Sequence, residues 1–225
     1  MPLRGLLQTF LKSPCPLCAG GNDGGLCQLC QQQLYRCRLN IELEQKASEL
    51  SVLAWGSYQG HLRQAIGALK YKQQPEIARF LGMELGRLWP MSSIAQQGVE
   101  PPAVIPIPLH PEKLAQRGYN QAELLSHWFC RATQLRHYPQ GLIRVRATEA
   151  QHRLNATQRQ QNLKGAFALG NRFPAEIRSV LLLDDIYTTG ATARAAAQTL
   201  ENRGVSVVGM GVIARAISAK ALISP

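Results

Sequence analysis

Long apolar runs are absent from this 225-residue chain. No stretch reaches the roughly 18 consecutive apolar residues that a membrane-spanning helix needs. Residues 2–12 are too often interrupted by polar side chains to form the core of a signal peptide. Their apolar residues fit one face of a helix instead. We therefore expect a docking helix here, no membrane span, and a cytoplasmic protein.

Acidic and aromatic side chains are also scarce. Only 14 Asp and Glu oppose 25 Lys and Arg, which gives a formal net charge of +11. This balance favours a polyanionic partner, either nucleic acid or a phosphorylated small molecule, over a general solubility bias. Aromatic residues make up 6% of the chain, and no aromatic-rich stacking surface of the kind found in single-strand binders is visible in the sequence.

Cysteines are few but grouped, since four of the six form two Cys-x-x-Cys pairs. Without an export signal we expect a reducing compartment, where disulfides are rare and a metal is the better interpretation. Two such turns complete the tetrahedral thiolate set of a structural zinc site. A redox dithiol is the alternative, but it is expected near a βαβ pattern that this segment lacks. The predicted zinc ligands are Cys15, Cys18, Cys27 and Cys30.

The other two cysteines fall outside these pairs. Cys37 is a candidate substitute ligand, or a buried or surface thiol, and Cys130 lies in an apolar helical segment where we expect it in the core.

Apolar segments with strand and helix spacing alternate after residue 50. This alternation indicates an α/β fold with a parallel sheet and crossover helices. We predict two domains, residues 1–50 with the zinc module and residues 51–225 with the sheet. A polar loop is predicted at 91–102, helices at 59–69, 75–89, 120–135, 157–163 and 193–200, and strands at 52–58, 103–108, 142–145, 180–183 and 205–214.

Residues 180–192 are the most informative stretch: four apolar residues, then Asp184 and Asp185, a Thr/Gly loop and an Ala-rich helix. The apolar run is typical of a buried parallel strand, and ligands of open α/β sheets bind at the carboxyl ends of such strands. Backbone N–H groups and Thr hydroxyls at a helix N-terminus can bind a phosphate.

The two acids add a second half to this motif. They cannot favour a phosphate, but we expect both on the ligand-facing tip of the strand and not in the core, where they can accept hydrogen bonds from a neighbouring sugar diol. A sugar 5-phosphate therefore satisfies both halves. An ordinary strand–turn–helix with a Thr N-cap is the alternative, and it would explain one Thr and neither acid.

Two further segments carry cations. In the first, residues 106–125, Arg117 lies next to Gly118, where a guanidinium can approach a phosphate closely and bind it in bidentate fashion. The second, residues 144–167, is a long connection rich in Arg and Gln, as expected of a mobile lid. A solvated basic surface is the alternative for both segments.

Together these motifs resemble the ComF/GntX family, bacterial phosphoribosyltransferase-like proteins linked to competence, that is DNA uptake, and to the use of extracellular DNA. The motif at 184–192 is similar to the 5-phosphoribosyl-1-pyrophosphate (PRPP) motif of type I phosphoribosyltransferases. The resemblance covers almost the whole chain. Its motifs are the four-cysteine knuckle, Leu69-Lys70-Tyr71-Lys72, Pro106-x-Pro-Leu-His-Pro, Arg117-Gly-Tyr-Asn-Gln-Ala-Glu-Leu, Arg144-x-Arg-x-Thr-x-x-Gln, Arg159-x-x-Asn and Asp184-Asp-x-Tyr-Thr-Thr-Gly-x-Thr.

The resemblance implies a type I phosphoribosyltransferase-like parallel sheet flanked by helices, behind a small N-terminal zinc-binding module. It implies that Asp184 and Asp185 hold the ribose hydroxyls and that the following loop holds the 5-phosphate, through Thr188, Thr189, Gly190, Ala191 and Thr192. It also implies a pyrophosphate loop after Pro106 and a flexible loop over 144–164, with Mg²⁺ arriving on PRPP. The candidate cations of these loops are Arg117, Arg144, Arg159 and Lys164.

Three functions fit these expectations. The first is a DNA-uptake protein that binds PRPP or a ribose 5-phosphate nucleotide, holds single-stranded DNA and works with competence-machinery proteins. The second is a phosphoribosyltransferase of nucleotide salvage or amide transfer with no direct role on DNA. The third is a regulator that uses the PRPP fold as a sensor. Charge and family resemblance favour the first.

Overall fold

A computed structural model describes residues 13–22, 24–39, 46–47, 50–97, 100–146, 165–171 and 173–216. The docking helix predicted within residues 2–12 and the helix predicted at 157–163 lie outside these described residues. So do two of the candidate loop cations, Arg159 and Lys164.

The paired cysteines lie in a small unit at the front of the chain. Strands β1 (Ser13–Pro14) and β2 (Gly21–Asn22) pair antiparallel, and helix α1 (Gln28–Tyr35) follows them. The rest of the described chain alternates strands and helices. Its elements are β3 (Lys46–Ala47), β4 (Leu50–Ser57), α2 (Gly60–Tyr71), α3 (Ile77–Leu88), a 3-10 turn (Trp89–Met91), α4 (Ser93–Gln97), β5 (Ala103–Pro106), α5 (Pro111–Arg117), α6 (Gln121–Thr133), β6 (Leu142–Arg144), β7 (Phe167–Leu169), β8 (Ser179–Tyr187), α7 (Ala191–Glu201) and β9 (Ser206–Arg215).

A five-stranded sheet with the order β3-β4-β9-β8-β5 forms the centre of the molecule. Strands β4, β9, β8 and β5 run parallel, and the short β3 pairs antiparallel at one edge. The sheet with its flanking helices confirms the predicted α/β fold with a parallel sheet. All four parallel strands fall on segments predicted as strands.

Alternation along β8 divides the core into two layers. Leu181 and Leu183 pack with residues of α2, α3 and α6 on one face. Val180 and Leu182 pack with α7, β6 and β7 on the other face. Successive strand residues point to opposite faces, so a strand covered by helices on both sides is apolar at every position. This explains why residues 180–183 form a continuous apolar run.

Three sequence-based expectations need correction. The strand predicted at 142–145 does not join the parallel sheet, because β6 pairs antiparallel with β7 in a separate two-stranded sheet. The loop predicted at 91–102 contains α4, whose start is supported by the Ser92 hydroxyl accepting the Ala95 backbone N–H. Strand β8 does not end at Leu183 but continues through both acids to Tyr187.

The cysteine unit shares its core with the sheet. Cys15, Cys30 and Leu34 belong to the same buried cluster as Trp55 and Leu62. Backbone hydrogen bonds tie the two parts together, with the Leu39 N–H donating to the Trp55 carbonyl and the Ser57 N–H to the Cys37 carbonyl. The division of the chain at residue 50 stays a prediction. Among the described helices, none is long and apolar enough to cross a membrane.

Candidate functional site

Asp184 and Asp185 lie inside β8, close to its carboxyl end. The strand continues past them because Asp184, Ile186 and Tyr187 keep their pairing with β9. The Asp185 backbone N–H donates to Asp184 Oδ1 at 2.8 Å. The acids are therefore presented by a paired strand, whose backbone is fixed, and not by a loop.

Asp185 is buried, with 3% of its surface exposed. Lys70 at the end of α2 forms an ion pair with its carboxylate, and Gln121 at the start of α6 hydrogen-bonds to it. The expectation that both acids lie on an exposed tip is thus wrong for Asp185, which faces the helical layer that contains Lys70 and Gln121.

The two carboxyl groups differ in the direction in which their pKa values are shifted. Burial acts to raise the pKa of Asp185, but the neighbouring Lys70 ammonium lowers this pKa below its usual value. Burial and the charge of Asp185 raise the pKa of Asp184 well above its usual value. Burial would lower the pKa of Lys70, yet the Asp185 carboxylate raises it. The Lys70 ammonium therefore favours the ionised form of Asp185, while burial beside that carboxylate disfavours the ionised form of Asp184.

A pocket opens beside Asp184, between the end of β8 and the start of α7. Most of the residues predicted to bind a sugar phosphate line it, whereas Asp185 and Thr189 do not. The predicted residues that line the pocket are Asp184, Thr188, Gly190, Ala191 and Thr192.

Gly190 fixes the turn between β8 and α7. Its φ of +73° lies in the left-handed region, and a Cβ atom here would approach Tyr187 Oη to 2.3 Å. Gly190 is also the N-cap residue of α7 and supplies no side-chain cap. The alternative of an ordinary Thr N-cap is therefore wrong, and the backbone N–H groups at the start of α7 are of the kind that suits an anion.

Thr189 Oγ1 adds a second polar group to this turn. It is buried and has no hydrogen-bond partner among the described residues. Buried hydroxyls are nearly always hydrogen-bonded in native proteins, so a bound ligand or water is the expected partner.

Arg117 is connected to the acid pair through one intermediary. Its guanidinium donates to Gln121 Oε1, and Gln121 in turn contacts Asp185. The guanidinium also lies over the ring of Tyr71, 5.6 Å from the ring centroid. Gly118 ends α5 with a φ of +82°, a conformation that glycine adopts without strain.

Arg144 approaches the acids from the other side. It lies over the Phe167 ring at 5.6 Å, and burial lowers its pKa while the charge of Asp184 raises it. Lys113 on α5 lies near the same cations. Burial lowers its pKa, and the charges of Arg144, Arg117 and Lys70 lower it further. Of the four cations predicted from the sequence, the structure brings Arg117 and Arg144 to this edge of the sheet.

Lys70, Gln121 and Lys113 were assigned no role from the sequence. Lys70 lies on the border of the apolar stripe of α2, four residues after the buried Ile66. That position, next to a site with two acids, is the signal that could have identified it. Helix α2 begins directly after β4 and contacts β8 through Lys70, so its last turn lies beside the acids near the carboxyl end of β8.

The four predicted zinc ligands form a second candidate site. Their sulfur atoms all lie within 4.8 Å of one another, and Cys18 Sγ is 3.7 Å from Cys27 Sγ. Four thiolates at about 2.3 Å from a tetrahedral zinc ion have sulfurs about 3.8 Å apart. The cluster therefore has the composition and spacing to bind a metal ion such as zinc.

The thiols of this cluster differ in acidity. Burial acts to raise the pKa of Cys15, but backbone N–H donors from Cys27, Cys18 and Leu17 lower it to about 6. Burial and the neighbouring cysteines raise the pKa of Cys30. Four thiolates this close repel one another, and a divalent cation removes that repulsion.

The remaining cysteines stand apart from the cluster. Cys37 is buried and contacts the carbonyl groups of Gln33 and Gln59. Cys130 is buried in α6, as expected, and burial raises its pKa to about 12.

Curated proteins named for competence or DNA utilization are similar to this chain over most of its length. Competence protein F of Haemophilus influenzae is 32% identical and covers 93% of this chain and 100% of its own. DNA utilization protein YhgH of Escherichia coli O6:H1 is 33% identical over 71% of this chain and 70% of its own. Competence protein ComFC of Bacillus subtilis is 29% identical over 84% of this chain and 72% of its own. No family model matches the chain.

Among solved structures, adenine phosphoribosyltransferases show a distant likeness. The enzyme of Leishmania tarentolae is 16% identical, with a TM-score of 0.39 over 67% of this chain and 62% of that chain. The enzyme of Trypanosoma brucei, solved with AMP, pyrophosphate and ribose-5-phosphate, is 11% identical, with a TM-score of 0.38 over 71% of this chain and 73% of that chain. The fold assignment rests on the strand order and helices described above.

Proposed function

Because the chain belongs to the ComF family of competence and DNA-utilization proteins, we propose that it serves DNA uptake and use by binding two kinds of phosphate ligand. The pocket beside Asp184 takes PRPP or another ribose 5-phosphate compound, and the basic surface takes single-stranded DNA. The protein acts in the cytoplasm with competence-machinery proteins. Residues 1–50 form a zinc module and residues 51–225 the ligand-binding domain.

One observation carries the sugar-phosphate proposal. A helix start without a side-chain cap from its N-cap residue, Gly190, lies in the same pocket as the carboxyl group of Asp184. The first turn of α7 and the Thr188 hydroxyl, which line the pocket, bind the 5-phosphate, since oriented N–H groups favour an anion. Asp184 binds a ribose hydroxyl. Asp185 keeps Lys70 and Gln121 in place beside it.

The cations at this edge suit the rest of PRPP. Lys113, Arg117 and Arg144 neutralise the pyrophosphate group, and Mg²⁺ is held by the phosphates and by water. If phosphoribosyl transfer takes place, these cations stabilise the charge that develops on the departing pyrophosphate.

The cysteine cluster holds one zinc ion in a structural role. With all four thiolates bound, the metal has no open position for a substrate. Because the cysteine unit and the sheet share one core, the metal then belongs to the same folded unit as the sheet.

The test of the sugar-phosphate site is isothermal titration with PRPP and Mg²⁺. Asp184→Asn keeps an oxygen that can accept the Asp185 N–H but loses the carboxyl group. A hydrogen bond contributes about 0.5–1.5 kcal/mol net, so the affinity should fall about 2- to 12-fold. Glu201→Gln at the exposed far end of α7 is the matched control, and it should bind as the wild type does.

Equal affinity in wild type, Asp184→Asn and Glu201→Gln would contradict the site. A screen for pyrophosphate release with bases and amines belongs to the same experiment. Turnover of PRPP together with an absence of DNA binding would favour the salvage or amide-transfer enzyme.

A further inference from the structure

Tyr71 is the most exposed of the large apolar side chains in the described part of the chain. It ends α2, and 78% of its surface is exposed. An isolated exposed apolar residue is ordinary by itself. Tyr71 differs because the guanidinium of Arg117 lies over its ring, 5.6 Å from the centroid, an arrangement in which a cation is attracted to the ring face.

Two chains of contacts place this ring at the rim of the candidate site. Tyr71 directly follows Lys70, which is paired with the Asp185 carboxylate. Arg117 donates to Gln121, which also bonds to Asp185. The residue before Tyr71 and the guanidinium over its ring are therefore both connected to the buried Asp185, through Lys70 and through Gln121. These contacts orient the pair before any ligand arrives.

Positive charge surrounds the ring. Lys72 follows it and is exposed. Lys113 lies close enough to Arg117, Arg144 and Lys70 that their charges lower its pKa. Proteins that bind single strands combine such a basic surface with an aromatic ring on which a base stacks, and an arginine adds a cation–π contribution.

We propose that Tyr71, backed by Arg117, stacks a nucleobase of single-stranded DNA at the rim of the pocket that contains Asp184. The inference rests on the single-strand binding proposed above and assigns its location. A duplex keeps its bases stacked inside and offers no free base face to the ring. Because the neighbouring cations would also face the pyrophosphate of PRPP, DNA and PRPP compete for this edge of the sheet.

The test separates base stacking from phosphate binding by fluorescence anisotropy with two labelled oligomers. One is a thymidine oligonucleotide, and the other has the same length and phosphates but abasic sugars. Stacking of one base contributes about 1–3 kcal/mol, so the wild type should prefer the thymidine oligomer about 5- to 100-fold. Tyr71→Ala should remove this preference and leave the affinity for the abasic oligomer within about twofold, because backbone binding depends on charge.

Two further variants control for folding and for exposed surface in general. Tyr71→Phe keeps the ring and should keep the preference. Met91→Ala, at a residue that is 50% exposed near the opposite edge of the sheet, should also keep it. Addition of PRPP with Mg²⁺ should weaken binding of the thymidine oligomer to the wild type.

Each other outcome overturns a distinct statement. If Tyr71→Ala keeps the full preference for the thymidine oligomer over the abasic one, the stacking site is overturned. Single-strand binding itself would still stand. If Tyr71→Ala loses affinity for both oligomers equally, Tyr71 contacts the DNA backbone and does not stack on a base. If Tyr71→Ala loses affinity for thymidine monophosphate but not for the thymidine oligomer, the ring binds a free nucleotide, and the DNA site is overturned. If the wild type binds neither oligomer, the proposed DNA function fails together with this inference.

Discussion

At the residue scale, adjacent acids of one motif have different surroundings. Asp185 faces the layer of α2 and α6 and is paired with Lys70, whereas Asp184 lines the pocket with the loop that follows. The alternation of side chains along a strand causes this division. The strand therefore divides the two acids of the motif, so that Asp184 lines the pocket and Asp185 pairs with Lys70.

Removal of the Lys70 charge should be costly. In Lys70→Met the Asp185 carboxylate stays buried without its cation, and breaking such a pair typically costs about 3–5 kcal/mol of unfolding free energy. Urea denaturation at neutral pH measures this change. Lys72→Met, two residues further along at an exposed position, is the control and should change stability by less than about 0.5 kcal/mol.

The pH dependence of this difference has a defined sign. Lys70 lowers the pKa of Asp185 in the folded state, so the pair stabilises the fold above the unfolded pKa of the acid. Its contribution is lost as the pH falls through the folded pKa. The gap between wild type and Lys70→Met should thus narrow in acid. A gap that is absent at neutral pH would show that the pair is not structural.

The sequence was sufficient for the residues whose chemistry is local. The residues of the Thr loop, with Gly190 among them, are neighbours in the sequence. The four cysteines form a second such group, so spacing predicts the arrangement within each group. Lys70 and Gln121 reach Asp185 from helices far away in the chain, and no periodicity encodes such a contact. The burial of Asp185 was missed for the same reason, because it depends on what covers the strand.

At the element scale, α3 and α6 pack unusually closely. A Cβ atom at Gly82 would lie 2.5 Å from the Leu125 carbonyl oxygen and 2.8 Å from Trp128 Cβ. Glycine is here a requirement of helix contact. Sequence periodicity predicted both helices but could not predict which face of one would meet the other.

Gly82→Ala should therefore destabilise the protein, by about 1–3 kcal/mol, as overpacking does. Alanine normally favours a helix over glycine by about 1 kcal/mol. Gly67→Ala in α2, where a Cβ atom meets nothing within 4 Å, provides the matched control and should stabilise the protein. The two substitutions are chemically identical, so thermal denaturation should show shifts of opposite sign. Shifts of the same sign would contradict the close contact.

Helix α2 shows where element prediction ends. Its position in the sequence was predicted, but the place where its last turn ends was not. Like α3, α2 packs in the apolar layer on one face of the sheet. Its last turn brings Lys70 and Tyr71 to the site.

At the scale of the whole molecule, the cysteine unit and the sheet should lose structure together. The Cys15→Ser/Cys18→Ser variant should lose the one zinc ion that we expect per chain, because structural zinc contributes directly to folding. Since Cys15, Cys30 and Leu34 share a core with Trp55, hydrogen exchange should increase in β4 as well as in α1.

Cys37→Ser is the control for this change, because Cys37 lies outside the cluster of four. It should retain zinc in elemental analysis. Metal-free wild type with full exchange protection, or a variant in which only α1 loses protection, would disagree with a shared structural role.

The net charge of +11 leads to a prediction about salt. Each phosphate neutralised on a single strand lowers the slope of log affinity against log salt by about 0.7. Arg144→Glu with Arg146→Glu should reduce the magnitude of this slope, because Arg144 lies near Asp184 and Arg146 follows it by two residues. Arg178→Glu with Arg203→Glu makes the same charge change near the amino ends of β8 and β9.

A local DNA surface requires different slopes for these two double variants. Equal slopes would mean that only total charge matters. An affinity that does not vary between low and physiological salt would remove nucleic acid from the function.

The strand order has a consequence for folding of the nascent chain on the ribosome. Among the described strands of the sheet, β4 is the first parallel strand made, and its neighbour is β9, the last of them, with Val52 paired to Met210. Strand β9 also separates β4 from β8. The nascent chain therefore exposes β4 and β8 as apolar strands that cannot be joined until residues 206–215 have been made, a period in which unpaired strands are prone to aggregate. Any fragment that stops before residue 206 lacks the strand that joins the two halves of the sheet.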